Sequence, residues 1–232
     1  SEFQKLLLDA INKGDKMRVA LLCADVNDPD VNDPGANLNI KDSTGKTVLF
    51  HAVDKGDVNI VQILIKGGAN VNIQENNRDT PLTFALYKKN EIMALLLIEI
   101  GADVNIKGSN DYTPLLHAVD KGYENIVQIL IEKGANVNIQ DADGYTPLFF
   151  AVENGEGNAN INIARILINK GANVNIEAKN GDTPLTFAQS KDNDELIRIL
   201  ERRAAILRVG EAAAWIAEDD DMQEIKFSQE TV

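Results

Sequence analysis

A period of 33 residues organises most of this sequence. Threonine opens five equivalent segments at spacings of 33, 33, 33 and 37 residues, and a closing Gly-Ala-Asn-Val-Asn phrase or a close variant recurs in step with it. A fixed period of about 20–50 residues is the signature of repeat proteins, in which each unit buries its apolar side against its neighbours. The sequence therefore predicts a stack of similar units, marked by Thr47, Thr80, Thr113, Thr146 and Thr183.

The sequence of each unit predicts two short antiparallel helices. Threonine is a favourable N-cap, and the proline that follows it in four units has a preset backbone angle and no N–H to leave unpaired. In the third unit Leu115 and Ala118 form an apolar stripe, and Gly122 stands where a left-handed C-terminal cap is needed. A second apolar stripe runs from Ile126 to Leu130 before the closing phrase leads into an extended hairpin.

This order of turn, Thr-Pro-Leu, two helices and a 33-residue period resembles the ankyrin repeat, across roughly residues 36–203. The resemblance implies an all-α ankyrin-repeat solenoid of stacked helix-turn-helix units with short β-hairpin loops, about six units including caps. In one respect the chain departs from the family, which usually places His directly after Thr-Pro-Leu. His51 and His117 come one residue later, so the usual ladder of histidine hydrogen bonds is not expected; the residues at the family position are Phe50, Thr83, Leu116, Phe149 and Thr186.

The repeats define the domain boundaries. We expect an N-terminal capping repeat with an acidic insertion at 1–41, and repeats at 42–74, 75–107, 108–140, 141–177 and 178–203. A C-terminal capping helix and an acidic tail then occupy 204–232. The fourth repeat has four extra residues within Glu156 to Asn162, which predict a bulging loop between its helices. Arg78, Lys89 and Asp111 stand where a left-handed backbone favours glycine.

The composition excludes several classes of function. A formal charge of −13 disfavours nucleic acid, which is bound by lysine and arginine. No apolar run approaches the length that spans a bilayer, and no signal peptide is visible, so we expect no membrane insertion. Cys23 is the only cysteine, which favours a reducing compartment. We therefore expect a monomer in the cytoplasm, or in the host cytosol if the chain is a secreted effector.

No pattern in the sequence predicts catalysis, a metal or a cofactor. His51 and His117 lie two units apart, roughly 20 Å in a stack of helices, which is too far to share a metal ion. Cys23 has no histidine nearby in sequence to act as its base. The Asp-rich insertion from Asp25 to Pro34 lacks the regular ligand spacing of a calcium loop and is expected to be a solvated loop.

The resemblance also implies where a partner binds. Ankyrin-like repeats use the hairpin tips and the ends of the inner helices, which here are the residues just before each Thr and those seven and eight after it. Tyrosines are frequent in this set, and tyrosine is favoured at binding hot spots. The set comprises Lys46, Asp54, Lys55, Asn77, Asp79, Tyr87, Lys88, Asn110, Tyr112, Asp120, Lys121, Asp143, Tyr145, Glu153, Asn154, Asp182, Ser190 and Lys191.

The predicted function is non-enzymatic binding of a protein partner through the concave face. One alternative is that the chain is the targeting or substrate-recognition region of a larger enzyme or of a secreted bacterial effector. Another is that the repeats are themselves a substrate, hydroxylated on the second asparagine of the closing phrase. Those asparagines are Asn72, Asn105, Asn138 and Asn175.

Overall fold

The fold is a single stack of helical pairs. The structure is a computed structural model that describes residues 2–26, 37–154 and 158–209. In chain order the helices are α1 (Glu2–Lys13), α2 (Lys16–Val26), α3 (Val48–Lys55), α4 (Val58–Lys66), α5 (Pro81–Tyr87), α6 (Glu91–Glu99), α7 (Pro114–Asp120), α8 (Glu124–Glu132), α9 (Pro147–Glu153), α10 (Asn158–Asn169), α11 (Pro184–Ser190) and α12 (194–209). A 3₁₀ turn covers Ser109–Asp111, and no β-strand occurs in the described ranges.

The helices pack in two rows. The first helices of the units, α1, α3, α5, α7, α9 and α11, each pack on the next, while α2 packs on α4, and α6, α8 and α10 follow one another. One continuous apolar core runs between the rows. In the inner row the leucine two residues after each of Thr47, Thr80, Thr113 and Thr146 is fully buried. The all-helical repeat architecture predicted from the sequence is confirmed.

The threonine N-caps differ between units. Thr80 and Thr183 form capping boxes. The hydroxyl of each accepts from the backbone N–H of the threonine three residues later, and the hydroxyl of that threonine accepts from the backbone N–H of the capping residue. Where phenylalanine takes this third position, after Thr47 and Thr146, the Thr hydroxyl is buried and makes no hydrogen bond within the described residues. Leucine at this position leaves the bond in place, since the Leu116 N–H donates to the Thr113 hydroxyl at 3.4 Å, so among the five described caps the bond is missing only in the two units with phenylalanine.

Asparagine joins the units to one another. In the closing phrase the first Asn or Asp accepts from the backbone N–H of the second Asn, which fixes the turn. The second Asn then accepts from a backbone N–H of the following unit, as Asn39 does from Asn70 at 2.7 Å and Asn138 does from Asn173 at 2.7 Å. The recurring asparagines are therefore structural, as their fixed positions in the sequence indicate.

Two irregularities of the sequence have clear structural outcomes. Arg78, Lys89 and Asp111 adopt φ values of 69°, 60° and 60°, so the predicted left-handed backbone is confirmed. The loop predicted over Glu156 to Asn162 is wrong for residues 158–162, which form the start of α10. The physical reason is that Ile161 continues the apolar stripe of Ala164 and Ile168, so the extra residues lengthen the helix.

The ends of the stack are only partly described. Most of the insertion from Asp25 to Pro34 lies outside the described residues, as does the segment after residue 209 in which a capping helix is predicted. The second helix of the last unit runs without a break from 194 to 209, across the boundary that the sequence places at 203. Within the described part, no helix is long and apolar enough to cross a membrane.

Candidate functional site

The positions predicted to bind a partner lie along one edge of the inner row of helices. The residues seven and eight after each Thr stand at the C-terminal ends of these helices; Tyr87 ends α5 and Glu153 ends α9, with Lys88 and Asn154 as their C-caps. The residues just before each Thr lie in the hairpins between units. We call these two sets together the tip face.

A row of aromatic side chains connects the two halves of the tip face. The residue four after each Thr is aromatic in all five units. In the second to fifth units it contacts the residue before a Thr or the residue eight after one, whereas His51 in the first unit contacts Asp42. This row is not part of the predicted binding site, although its regular spacing is visible in the sequence. The row, called the ring row below, comprises His51, Phe84, His117, Phe150 and Phe187.

Lysines cover the ring row at the second unit. The Lys46 Nζ lies 4.8 Å from the centre of the Phe84 ring, and the Lys88 Nζ lies 5.4 Å from it. Lys88 also pairs with Asp54 at 2.9 Å. Beside them is a groove of about 510 Å³, which the mainly exposed side chain of Tyr87 lines. This part of the tip face therefore offers an aromatic surface with positive charge above it.

Tyrosines cover the ring row at the third and fourth units. The Tyr112 ring packs edge-on against His117 and Phe150, with centroids 5.0 and 5.4 Å away. The Tyr145 ring packs in the same way on Phe149 at 4.9 Å and on Phe150 at 6.2 Å. Tyr112 and Tyr145 are consequently half-buried rather than free, whereas the Tyr87 side chain is 64% exposed.

The electrostatics of the tip face change along the stack. Burial raises the pKa of the Tyr112 hydroxyl, and the carboxylates of Asp120, Asp141, Glu153 and Asp143 raise it further. Only Asp120 among these four pairs with a lysine of the described residues, namely Lys121 at 2.7 Å. The surface around Tyr112 is therefore negative, in contrast to the lysine-covered ring at the second unit.

The two histidines of the ring row have different surroundings. His51 Nε2 lies 2.8 Å from the Asp42 Oδ2. Burial of the Asp42 carboxyl acts to raise its pKa, but hydrogen bonds from Thr44, His51 and the backbone of Lys46 outweigh it and hold the pKa well below its usual range. His117 is mostly buried, and this burial lowers its pKa. Neither arrangement resembles a metal or catalytic site.

The outermost tip residues link neighbouring hairpins. The Asn77 carbonyl accepts from the Ser109 hydroxyl at 2.5 Å, and the Asn110 carbonyl accepts from the Ala142 N–H at 3.1 Å. The Asp143 carbonyl accepts from the Lys179 N–H at 2.9 Å. Asp79 accepts weakly from the Ser109 N–H, and Asp182 accepts from the Asn180 amide at 2.7 Å. The bonds from Ser109, Ala142 and Lys179 link the hairpins of the second to the fifth unit along one edge, and the tip side chains that make no such bond are left for contact.

The remaining predicted residues are exposed, and three of them are lysines. Lys55 ends α3, and Lys121 caps α7, while Ser190 and Lys191 lie at the end of α11. The Lys191 Nζ lies 5.5 Å from the Phe187 ring centre. Charged groups at a rim set orientation and partner choice more than they set affinity.

The described residues offer no reactive centre. No group of three or more His, Cys, Asp and Glu residues among them is placed to hold a metal ion. The single thiol, Cys23, is buried, and burial raises its pKa to about 11, so it stays protonated near neutral pH. A cleft of about 380 Å³ on the outer row, lined by Arg165, Arg202 and Arg203 among others, lies where the described chain ends.

The fold and the tip face together define a helical repeat protein with an extended binding edge. The chain belongs to the ankyrin repeat family, because the family model "Ankyrin repeats (3 copies)" matches residues 6–108, 69–141 and 115–208. Ankyrin repeats are a general protein–protein interaction module, and proteins built from them are generally not enzymes.

Solved ankyrin structures resemble the whole stack. The crystal structure of the ankyrin repeat protein EF0377 aligns with a TM-score of 0.74 at 27% identity, over 85% of this chain and 97% of that one. An ankyrin repeat domain from Acinetobacter baumannii AYE aligns with a TM-score of 0.75 at 26% identity, again over 85% and 97% of the two chains. Comparison of the sequence with curated proteins finds no match.

Proposed function

We propose that this chain binds a protein partner through the tip face, on the concave side of the ankyrin stack, and catalyses no reaction of its own. The observation that carries the proposal is the ring row with its covering side chains. It supplies aromatic area at each of five successive units. Charged residues flank it on both sides, such as Lys46 in a hairpin and Glu153 at the end of an inner helix.

The chemistry of the tip face suits a protein surface. Aromatic side chains give large contact area at a low cost in conformational entropy, and the tyrosine hydroxyls add polar contacts. Tyr87 is the strongest candidate for a hot spot, because its ring is exposed beside a groove lined by Glu75, Asp79 and Phe84. An exposed aromatic side chain that becomes buried against a partner is where interfaces concentrate binding energy.

The residues that hold the stack together are different from those proposed to bind the partner. The residues that recur in every unit, such as the buried leucines and the bridging asparagines, hold the stack together. Most tip-face residues differ between units and can encode a particular partner; Asp54 and Lys55, which recur as Asp120 and Lys121, are an exception. Mixed charge along the edge, from Lys46 at one unit to Asp143 at another, favours one orientation of that partner.

The same surface fits the wider contexts that the sequence leaves open. If the chain is the recognition region of a larger enzyme or of a secreted effector, the tip face performs the recognition, and the reading frame on either side of the gene would show that context. We also propose a monomer located in the cytoplasm, since a lone buried thiol suits a reducing compartment.

A substrate role for the asparagines has weaker support. The side chains of Asn72, Asn105 and Asn138 accept hydrogen bonds from the next unit, so a modifying enzyme would have to break a joint between units to reach them. Intact mass after incubation with an asparaginyl hydroxylase measures this directly. An added oxygen would support the substrate role.

Affinity capture with matched variants tests the proposed binding. One variant carries Tyr87→Ala, Lys88→Ala and Glu153→Ala, all exposed on the tip face. The control carries Gln62→Ala, Gln128→Ala and Glu132→Ala, all exposed on the outer helices. We expect the first to weaken capture at least about tenfold and the control to leave it unchanged. Equal capture by both, with equal thermal unfolding, would reject the tip face as the site.

A further inference from the structure

We infer that a small pocket at the fourth unit takes the ammonium group of a lysine side chain from the protein partner. This pocket, called the unit-four pocket, is lined by Tyr145, Phe149, Phe150, Glu153 and Phe187. The inference rests on the proposed function, because it assigns a chemistry to one place on the tip face.

The geometry of the pocket is that of an aromatic enclosure with one carboxylate. The Phe149 ring lies 4.9 Å from the Tyr145 ring and 5.6 Å from the Phe187 ring, centre to centre, at interplanar angles of 63° and 52°. Rings tilted to one another in this way present both faces and edges to the space between them. Glu153 supplies the only ionised lining group. A cavity of about 70 Å³ suits one ammonium group with its adjoining methylene groups.

Aromatic faces and a carboxylate attract the same kind of ligand. The negative face of an aromatic ring attracts a cation within about 6 Å, and the attraction grows where water is excluded. A carboxylate adds a charge-assisted hydrogen bond to an ammonium donor. A neutral apolar side chain would gain from the rings alone and would leave Glu153 without a partner.

The chain itself shows that ammonium groups settle on this row of rings. At the second unit, Lys88 stands eight residues after the Thr and lies 5.4 Å from the Phe84 ring centre. At the fifth unit, Lys191 holds the same position and lies 5.5 Å from the Phe187 ring centre, although it does not line the unit-four pocket. The equivalent position at the fourth unit is Asn154.

The fourth unit therefore lacks the lysine that the second and fifth units provide. Among the described residues, no lysine or arginine lies over the Phe150 or Tyr145 rings. The surroundings are negative, since Asp141, Asp143 and Glu153 act on this part of the tip face and have no salt-bridge partner in the described chain. A lysine from a partner would supply the missing cation in the position where the second unit uses Lys88.

Peptide titration of the full chain tests the inference. Acetyl-Gly-Lys-Gly-amide and its neutral norleucine counterpart are titrated separately at one ionic strength, and the NMR shifts of the pocket rings are followed. We expect the lysine peptide to bind about two- to fivefold more tightly than the norleucine peptide, as an exposed cation–π contact predicts. Equal binding of the two peptides, or no shift with either, would overturn the inference.

A pair of substitutions at one position provides the matched control. Asn154→Lys places a lysine where Lys88 lies in the second unit and should fill the pocket from within, so that the lysine peptide no longer shifts the rings. Asn154→Ala also loses the side-chain hydrogen bond to the Asp120 carbonyl, which is 3.3 Å long, but adds no ammonium group and should keep peptide binding. Loss in both variants, or in neither, would contradict the assignment of the pocket.

The peptide titration and the partner-capture experiment can fail independently of each other. Partner capture that depends on the tip face, together with indifference to the lysine peptide, would reject the lysine pocket and leave the binding face intact. Lysine-specific binding by the pocket without capture of any partner would reject the proposed function and leave the pocket chemistry standing.

Discussion

The Asn105 side chain holds the Asn136 backbone of the following unit. Its Oδ1 accepts from the Asn136 N–H at 3.0 Å, and its Nδ2 donates to the Gly134 carbonyl at 3.0 Å. One amide thereby satisfies a donor and an acceptor of the next closing phrase. The stability of a solenoid is approximately the sum of the stabilities of its units and of the interfaces between neighbouring units. Hydrogen bonds between two units therefore contribute directly to the stability of their interface.

Asn105→Ala should lower the free energy of unfolding by about 1 kcal/mol, because it removes two hydrogen bonds between units that are partly open to water. Denaturant unfolding followed by circular dichroism measures the change. Asn175→Ala is the control, since the Asn175 side chain makes no hydrogen bond to a later unit within the described chain. An equal loss in both variants would show that the inter-unit bonds contribute nothing specific.

Lys89→Gly should stabilise the protein by about 0.5–1 kcal/mol, because the backbone at Lys89 is left-handed and glycine adopts that conformation without a Cβ clash. Gly122 stands at the equivalent position of the next unit, where φ is 72°. The reciprocal substitution Gly122→Lys should therefore destabilise the protein by a similar amount. The midpoints of thermal unfolding should move in opposite directions. Two shifts of the same sign would contradict the strain argument.

The partly buried histidine of the ring row, His117, gives a pH dependence. Burial lowers the pKa of His117, so the unfolded chain takes up this proton at a higher pH than the folded chain does. The stability that His117 contributes is complete above its unfolded pKa of about 6.5 and is lost as the pH falls from there toward the folded pKa. His117→Phe, which copies Phe84 and Phe150, should therefore flatten the fall in unfolding free energy between about pH 7 and 5. Parallel profiles for the two proteins would exclude His117 as the cause.

Much of the fold follows from local signals in the sequence. Thr-Pro-Leu marks where α5, α7, α9 and α11 begin. In α5, Thr80 caps the helix and Pro81 lacks the N–H that would stay unpaired. The left-handed backbone at Arg78 and Lys89 follows from counting residues against the glycines of other units. Signals of this kind act within one turn, so they can be recognised without knowledge of tertiary contacts.

The parts that escaped prediction depend on contacts between units. The ring row depends on how side chains such as Phe84 and Phe150 point across the stack toward residues of other units. The spacing of residues within one unit does not give these directions. The half-burial of Tyr112 has the same origin, because its ring packs on a residue of the next unit. The early start of α10 depends on the packing of Ile161 against the core. The spacing of residues within one unit does not reveal this contact.

Photo-crosslinking at two positions tests the central claim, that the tip face is the binding surface. The photoreactive residue p-benzoylphenylalanine replaces Tyr87, which is 64% exposed on the tip face, or Gln128, which is exposed on the outer helix α8. Each protein is irradiated with the partner that the unmodified chain captures. We expect a covalent adduct from position 87 and none from position 128. An adduct from position 128 with none from position 87 would place the partner on the outer helices and contradict this account.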